Sequence, residues 1–500
     1  MSAHFPVLLV TGPLLAALLV SIAGWLRPRL CLPLALAGLG VAAISATGLL
    51  VQVLTTGPVS YRLGGWAPPW GIFYYVDQLN AVVAAVVAWV ALVNLAASLR
   101  AVQADYADKQ GPFYTLYVLA VAGLLGMVAT GDAFNLYVLL EISSLTGYAL
   151  IGLGPGRAPL SSLNYLFLGT IGASFYLLGV GYLYIVTGSL NMADLASLLP
   201  PLYGSLAVIA AFAIIMVGVW VKMAFFPLHA WLPNAYSQAP GPAASLLAPL
   251  MTKVMIYVMI RMMLSVFTVK FVFSLALLQQ FVVWLAVAAI VVGGLFALAQ
   301  RDLKRMLAYI VVSEVGYMVG GAWLGNKLAM TGAVLHLVND AVMTFVVFLA
   351  AGCIFQRVRG TAFEDLRGLF KKMPWTMAAL AAGALSIIGV PPTGGFFSKW
   401  YLIRGALEAG HWGFVAALLF SSLVGVVLFF RVFEIAFFEP LGAGHGHGHG
   451  GRAPAVALAE APLSMLLPLM AAALGLVALG LSTGPLVKWI ISPVLPPGLG

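Results

Sequence analysis

Residues 219–233, VWVKMAFFPLHAWLP, begin as an unbroken apolar run and then place Lys222 five residues ahead of Pro227. An ammonium group and a helix breaker inside a lipid-compatible stretch decide how the rest of the chain is read. The surroundings are equally apolar: of 500 residues, 63% are hydrophobic and 8% charged, with mean hydropathy +1.06, against about 25% charged in soluble domains. Composition indicates an all-α polytopic membrane protein with no segment polar enough for a soluble domain. The net charge of +9 is scattered through short loops instead of gathered on one face, which argues against nucleic acid and fits membrane topology.

Apolar stretches of about 20 residues fall near 6–26, 30–54, 76–98, 113–130, 132–153, 161–187, 204–231, 242–266, 275–299, 305–324, 328–355, 375–408, 412–438 and 461–490. They predict fourteen transmembrane helices. The first lacks the basic flank and small-residue cleavage site of a secretory signal and reads as a retained helix. With the N-terminus outside, fifteen Lys and Arg residues collect in inner loops, Lys304 and Arg359 among them. Six collect outside: Arg62, Arg261, Lys270, Lys327, Arg404 and Lys488. That bias predicts both termini outside in a bacterial-type plasma (inner) membrane. The predicted divisions are an N-terminal three-helix segment (1–110), two five-helix units (111–270 and 271–440), and a His/Gly-rich loop with a C-terminal helix (441–500).

Of the 24 basic residues, three are left after these two groups, Lys222, Lys253 and Lys399, and they fall inside the seventh, eighth and twelfth predicted spans. Each costs roughly 2.5–3.5 kcal/mol at helix centre. Snorkelling to the interface is the bland explanation, and it weakens with depth in the span. Acidic residues offer partners: Glu141 in the fifth span, Glu314 in the tenth, Asp340 in the eleventh and Glu434 near the end of the thirteenth. His336 precedes Asp340 at i, i+4 on the same helical face; a buried histidine is as readily a structural group as part of a polar pathway. Burial and an approaching opposite charge act in opposite senses on proton affinity. A lysine that gains and loses a carboxylate partner therefore switches between holding and releasing a proton, whereas a permanent ion pair is a weak use of such costly groups.

Proline removes a helical hydrogen bond and clashes with the preceding turn, and in lipid the freed carbonyls are tolerated only against protein or water. Pro227 and Pro233 are expected to break the seventh helix. Pro391, Pro392, Gly394 and Gly395, within GVPPTGGFFSK (389–399), are expected to break the twelfth. Lys222 and Lys399 are 177 residues apart, and Glu141 and Glu314 are 173 apart. Both intervals join a helix to the one five later, and because five is odd the two units are expected to be inverted repeats, with discontinuous helices marking the site.

The stretches YVLLEISSLTGYALIG (137–152), VKMAFFPLHAWLPNAYSQAPGPAASLLAPLMTKVMIYVMIR (221–261) and GVPPTGGFFSKW (389–400) resemble the antiporter-like subunits shared by Mrp-type multisubunit cation/proton antiporters, respiratory complex I and membrane-bound hydrogenases. The resemblance runs over residues 75–440 and is strongest to the Mrp D subunit, with complex I membrane subunits as near neighbours. It implies that Glu141 and Lys222 form the pair of a first half-channel, that Lys253 is a central relay lysine, and that Lys399 ends a second half-channel. The second half departs from the family pattern. Many relatives carry histidine or another polar residue at Glu314, histidine at or near Asp340, and lysine at Thr344. Thr344 carries no proton at neutral pH, which leaves Glu314, His336 and Asp340 to serve in a different order or for a different ion.

No dinucleotide fingerprint, Walker sequence or nucleophile with its base is present, so no catalytic residue and no cofactor is assigned. Cys31 and Cys353 stand alone without metal or disulfide spacing. The run GHGHGHGG (444–451) offers three histidines to a metal but reads better as a polar cytoplasmic loop, so no metal site is assigned. The function these features imply is proton translocation, with sodium as candidate exchange ion, by one subunit among other membrane subunits in a lipid bilayer. Two alternatives remain: the proton-pumping membrane subunit of an NADH:quinone oxidoreductase or membrane-bound hydrogenase-type complex, and a scaffold whose charges lock helices together.

Overall fold

In lipid every backbone N–H and C=O must be satisfied within the segment, so long uncharged runs of Ala, Leu and Val fold as helices. The computed structural model describes residues 2–438 and 458–499; the 444–451 histidine run lies outside the described residues. The helices in chain order are α1 (Phe5–Leu26), α2 (Cys31–Thr56), α3 (Gln78–Asp105), α4 (Gln110–Ala129), α5 (Ala133–Gly152), α6 (Ala158–Thr187) and the short α7 (Met192–Leu198). There follow α8 (Leu206–Met223), the short α9 (Leu232–Gln238), α10 (Gly241–Arg261), which continues as a π-helical turn over Met262–Val266, the short α11 (Thr268–Val272), α12 (Ala276–Leu298), α13 (Leu303–Trp323) and α14 (Lys327–Val358). Next come α15 (Leu369–Lys372), α16 (Pro374–Ile388), α17 (Gly394–Glu408), α18 (Trp412–Phe438) and α19 (Leu463–Leu481), followed by the short α20 (Thr483–Leu486) and α21 (Ser492–Val494). Among the described residues, 13 helices are long and apolar enough to cross a membrane. The half-length α16 and α17 together take the place of the twelfth predicted span.

One element departs from the all-helical expectation. Val59–Arg62 (β1) and Phe73–Val76 (β2) pair antiparallel after α2. VSYR and FYYV are β-branched and aromatic, the residue types that fit a pleated surface, and they lie outside the spans.

The most enclosed spans are α10, fully buried in its most apolar window, and α13 and α14, each 94% buried. The charges at mid-helix, Lys253, Glu314 and Asp340, are therefore enclosed by protein. Close approach elsewhere depends on small residues: a Cβ on Gly218 of α8 would come 2.6 Å from the Gly172 carbonyl of α6, the kind of contact that lets membrane helices pack backbone to backbone.

The two ends of the bundle differ. At one, loops around Asp105, Lys109, Lys304, Arg305, Arg359 and Asp365 enclose a cavity of about 980 Å³. At the other, Tyr75, Asp77, Thr130, Met192, Arg261 and Val494 line a cavity of about 510 Å³. Among the residues counted as loop charges from sequence, Lys304 and Arg261 lie inside helices and are drawn into the bundle. Lys304 lies buried in the first turn of α13, 4.7 Å from the Phe355 ring. Arg261 ends α10 and forks onto Asp77, with Nη1 2.7 Å from Oδ2 and Nη2 2.9 Å from Oδ1. Asp302 caps α13 and carries Lys304 into its first turn, while Asp77, the N-cap of α3, holds Arg261 at the end of α10 through the ion pair.

Asp77 also accepts the N–H groups of Leu79 and Asn80. Burial alone would lift its carboxyl, but the Arg261 guanidinium and these N–H groups outweigh that and hold it below its ordinary value. A carboxyl depressed in this way stabilises the fold above its unfolded pKa, about 3.9, and loses that contribution as pH falls through the folded value. Asp77→Asn should therefore lower the thermal midpoint of the solubilised protein at neutral pH, by a loss of about 3 kcal/mol for a buried charge left alone. A scan of midpoint against pH should show the gap from wild type narrowing below about pH 4.

Candidate functional site

The helix breaks position the buried lysines. Helix α8 stops because Ala224 turns into the left-handed region (φ 59°), with its N–H on the Trp220 and Val221 carbonyls and the Phe225 N–H on Trp220 O at 2.9 Å. Helix α16 stops at Gly389 (φ 93°), whose N–H meets the Leu385 and Ser386 carbonyls while the Val390 N–H meets Leu385 O at 2.9 Å. This is the same helix-terminating motif twice, and a proline, Pro227 or Pro392, follows each left-handed residue by three positions. Pro233 and the pair Gly394 and Gly395, expected in the breaks, instead lie in the first turns of α9 and α17. Proline suits a first turn, where no helical donor is needed. Gly395 is required there because a Cβ would overlap the Ser386 carbonyl.

Aligned on Ala224 and Gly389, the breaks repeat at 165 residues and not at the 177 separating the lysines. Lys222 then corresponds to Ile387, and the two lysines come from opposite sides of their breaks. Helical side chains slant toward the N-terminus, so Lys399, early in α17, reaches back across the gap. Its Nζ donates to the carbonyls of Ile387 (2.7 Å) and Ile388 (3.2 Å) and to Ser422 Oγ (3.0 Å). In the first break the corresponding duty falls to an indole: Trp231 Nε1 donates to Val221 O at 3.0 Å.

Lys222 is therefore available to side chains. Its Nζ donates to Ser144 Oγ (2.7 Å) and Tyr148 Oη (3.2 Å). Glu141 is within electrostatic reach of Lys222, yet the direct ion pair expected between them is not formed, and Glu141 Oε1 is buried without a hydrogen-bond partner. The reason is local, because Glu141, Ser144 and Tyr148 share one face of α5 at i, i+3, i+7, and the two hydroxyls meet the ammonium first. Tyr148 packs edge-on to Tyr165, whose ring stacks on Trp231 at 3.7 Å, tying this group to the break.

The second group assembles the other five predicted residues from four helices. Lys253 Nζ on α10 lies 3.0 Å from Asp340 Oδ2 on α14, a charge contact outside hydrogen-bond geometry. Thr344, which carries no proton of its own, closes the triangle: it accepts from Lys253 (3.3 Å) and donates to Asp340 Oδ1 (2.7 Å). The Glu314 carboxyl on α13 lies within electrostatic reach of Asp340 and Lys253, and both of its oxygens are buried without a hydrogen-bond partner. His336 meets Ser398 Oγ through Nδ1 at 2.8 Å, while its Nε2 has no partner. Lys399 and His336 flank the Tyr317 ring at 5.1 and 5.2 Å, and Tyr317 bonds Ser421. Relative exposure is 5% or less for all five titratable members. Glu434 is exposed near the end of α18 and joins neither group. Among the described residues no group of three or more His, Cys, Asp or Glu is arranged to hold a metal ion. Ser144 and Tyr148 were findable from their spacing to Glu141; Ser398, Tyr317 and Ser422 carry no sequence signal that separates them from ordinary helix residues.

The family described as NADH:quinone oxidoreductase/Mrp antiporter, TM, has a sequence model that matches residues 130–425, a range containing all seven titratable residues of the two groups. A protein of Desulforudis audaxviator named NADH-quinone oxidoreductase subunit N is 46% identical over 503 residues, covering 99% of each chain. The D-type subunit of the Na(+)/H(+) antiporter of Bacillus subtilis is 31% identical over 398 residues, 79% of each chain. Among solved structures, a chain of the Mrp complex from Dietzia sp. DQ12-45-1b superposes with a TM-score of 0.86 at 25% identity, covering 99% of this chain and 98% of that one. Identity is greater to the oxidoreductase relative than to the antiporter relative.

Removing one member of a buried pair leaves the other charge uncompensated. Asp340→Asn should cost about 3–5 kcal/mol, read as loss of the assembled, monodisperse complex on heating. The double change Asp340→Asn with Lys253→Met should recover much of that loss. A strictly additive pair of effects would show that the two side chains are not coupled.

Proposed function

The chain belongs to the NADH:quinone oxidoreductase/Mrp antiporter family as an antiporter-like, multi-pass membrane subunit, and we propose that it carries protons through the membrane along its two groups of buried charge. The observation that carries this reading is the meeting of Lys253, Glu314, His336, Asp340 and Lys399, from α10, α13, α14 and α17, in one enclosed group. A scaffold would gain more from apolar packing at the same volume, and it has no use for buried polar atoms without partners on Glu141, Glu314 and His336. Glu141 with Lys222 sets the access switch, Lys253 receives charge at the centre, and Lys399 with Glu314, His336 and Asp340 completes the path.

The relatives assign the setting. Other membrane subunits are its partners, as in the multisubunit Mrp and complex I assemblies. The recurring break supports two related five-helix units, and the Lys/Arg bias supports both termini outside a bacterial plasma membrane. Sodium as exchange ion rests on the antiporter relative. The 46% identity to the oxidoreductase relative favours a second reading, in which a redox complex drives the same proton path.

In the reconstituted complex, Glu141→Ala, Lys222→Ala and Lys399→Ala should each lower proton flux by about 10²-fold or more, the contribution of a positioned proton-transfer group. Full flux with normal assembly would contradict the reading. Applying sodium gradients and electron donors separately to the same vesicles distinguishes exchange from redox drive.

A further inference from the structure

We propose that Lys253 has its own water-filled access from the Lys/Arg-rich end of the bundle, along a cleft between α3, α10 and α14, with the Asn94–Ser245 hydrogen bond as its constriction. This rests on the reading of Lys253 as a proton carrier. The cleft begins at the polar cavity of about 980 Å³ and shares Asp105 and Gly241 with it. Inward it narrows to about 20 Å³ beside Asn94, Ser98, Ser245 and Gly352, room for about one water.

The wall contributed by α3 is not an ordinary lipid-embedded face. Asn94, Ser98 and Asp105 recur at i, i+4, i+11 and so lie on one side of the helix, with Asn94 and Ser98 buried. Burying such groups costs free energy unless they are bonded. Asn94 Nδ2 donates to Tyr117 Oη and to Pro242 O, each at 2.9 Å, and Asn94 Oδ1 accepts from Ser245 Oγ at 2.7 Å. Its donors and acceptor thus hold the mouth of α10 in a polar setting where a leucine would close it.

Two features of α10 carry the route onward from Ser245. Pro249 has no N–H, so the Ser245 carbonyl lacks its helical donor. The Lys253 side chain slants toward the start of α10 and brings Nζ to 3.3 Å from Ala248 O. Ala248 is three residues beyond Ser245, about 4.5 Å along the helix axis. The ammonium therefore points down the cleft, away from the opposite end. Helix α3 lies before residue 130, where the family match begins, so this access adds a contribution from the N-terminal segment to the shared module.

The test uses the intact complex in vesicles, with Cys31→Ala and Cys353→Ala as background and Ser98→Cys or Ser245→Cys added. Silver ion, small enough for the cleft, is applied to one face; after denaturation the thiols it failed to block are alkylated and counted by mass. Both cysteines should be blocked from the Lys/Arg-rich face, and Ser245→Cys should not be blocked from the other. Asn94→Leu should slow the blocking of Ser245→Cys and lower proton flux by at least about tenfold, the low side of proton-transfer contributions. Absence of blocking at Ser245→Cys, blocking from the opposite face, or unchanged flux in Asn94→Leu would each overturn the route. Failure of Lys253 as a carrier would look different, with normal flux in Lys253→Met and the silver pattern intact.

Discussion

The contact between Lys253 and Asp340 is what the buried half of the structure depends on. Neither charge is tolerable alone at this depth, and each is placed by a helix almost wholly enclosed by others. Thr344 ties the carboxylate and ammonium together from the same turn of α14, and Glu314 places a second buried carboxyl within electrostatic reach of the first. Two buried carboxyls within electrostatic reach of two lysines form a group in which moving one proton changes the electrostatic balance at every other member, a property that favours the proposed relay over passive support.

The two breaks show how one backbone device serves different purposes. In both, a left-handed residue ends the helix with the same pair of N–H contacts. At the first, a neutral indole adds a second donor to the Val221 carbonyl and leaves Lys222 to the hydroxyls of Ser144 and Tyr148. At the second, the Lys399 ammonium is itself the donor to two carbonyls. Deprotonating Lys399 thus weakens the satisfaction of the α16 terminus, whereas deprotonating Lys222 leaves its helix end unaltered.

Much of this was readable from the sequence because membrane burial is severe. Fourteen apolar segments, three lysines within them and two proline-marked interruptions stand out against a background with so few charges. What sequence spacing misjudged were contacts set by side-chain direction. The 177-residue interval between Lys222 and Lys399 suggested equivalent positions, while the backbone repeats at 165, because one lysine precedes its break and the other reaches back over it. Glu141 and Lys222 were expected to touch, but Ser144 and Tyr148 on the same face of α5 are nearer. Lys304 was assigned to a loop because hydropathy fades at the start of a helix, where Asp302 caps α13, and Arg261 was counted with the outer side although it ends α10 and is held by Asp77.

The central claim, that Asp340 and Glu314 exchange a proton with their lysine neighbours during transport, is open to direct observation. Infrared difference spectra of the reconstituted complex, taken as a pH gradient is imposed, should contain a change in the carboxyl C=O region that disappears in Asp340→Asn and is altered in Glu314→Gln. A carboxyl region untouched by either substitution, in a complex that still moves protons, would contradict the account.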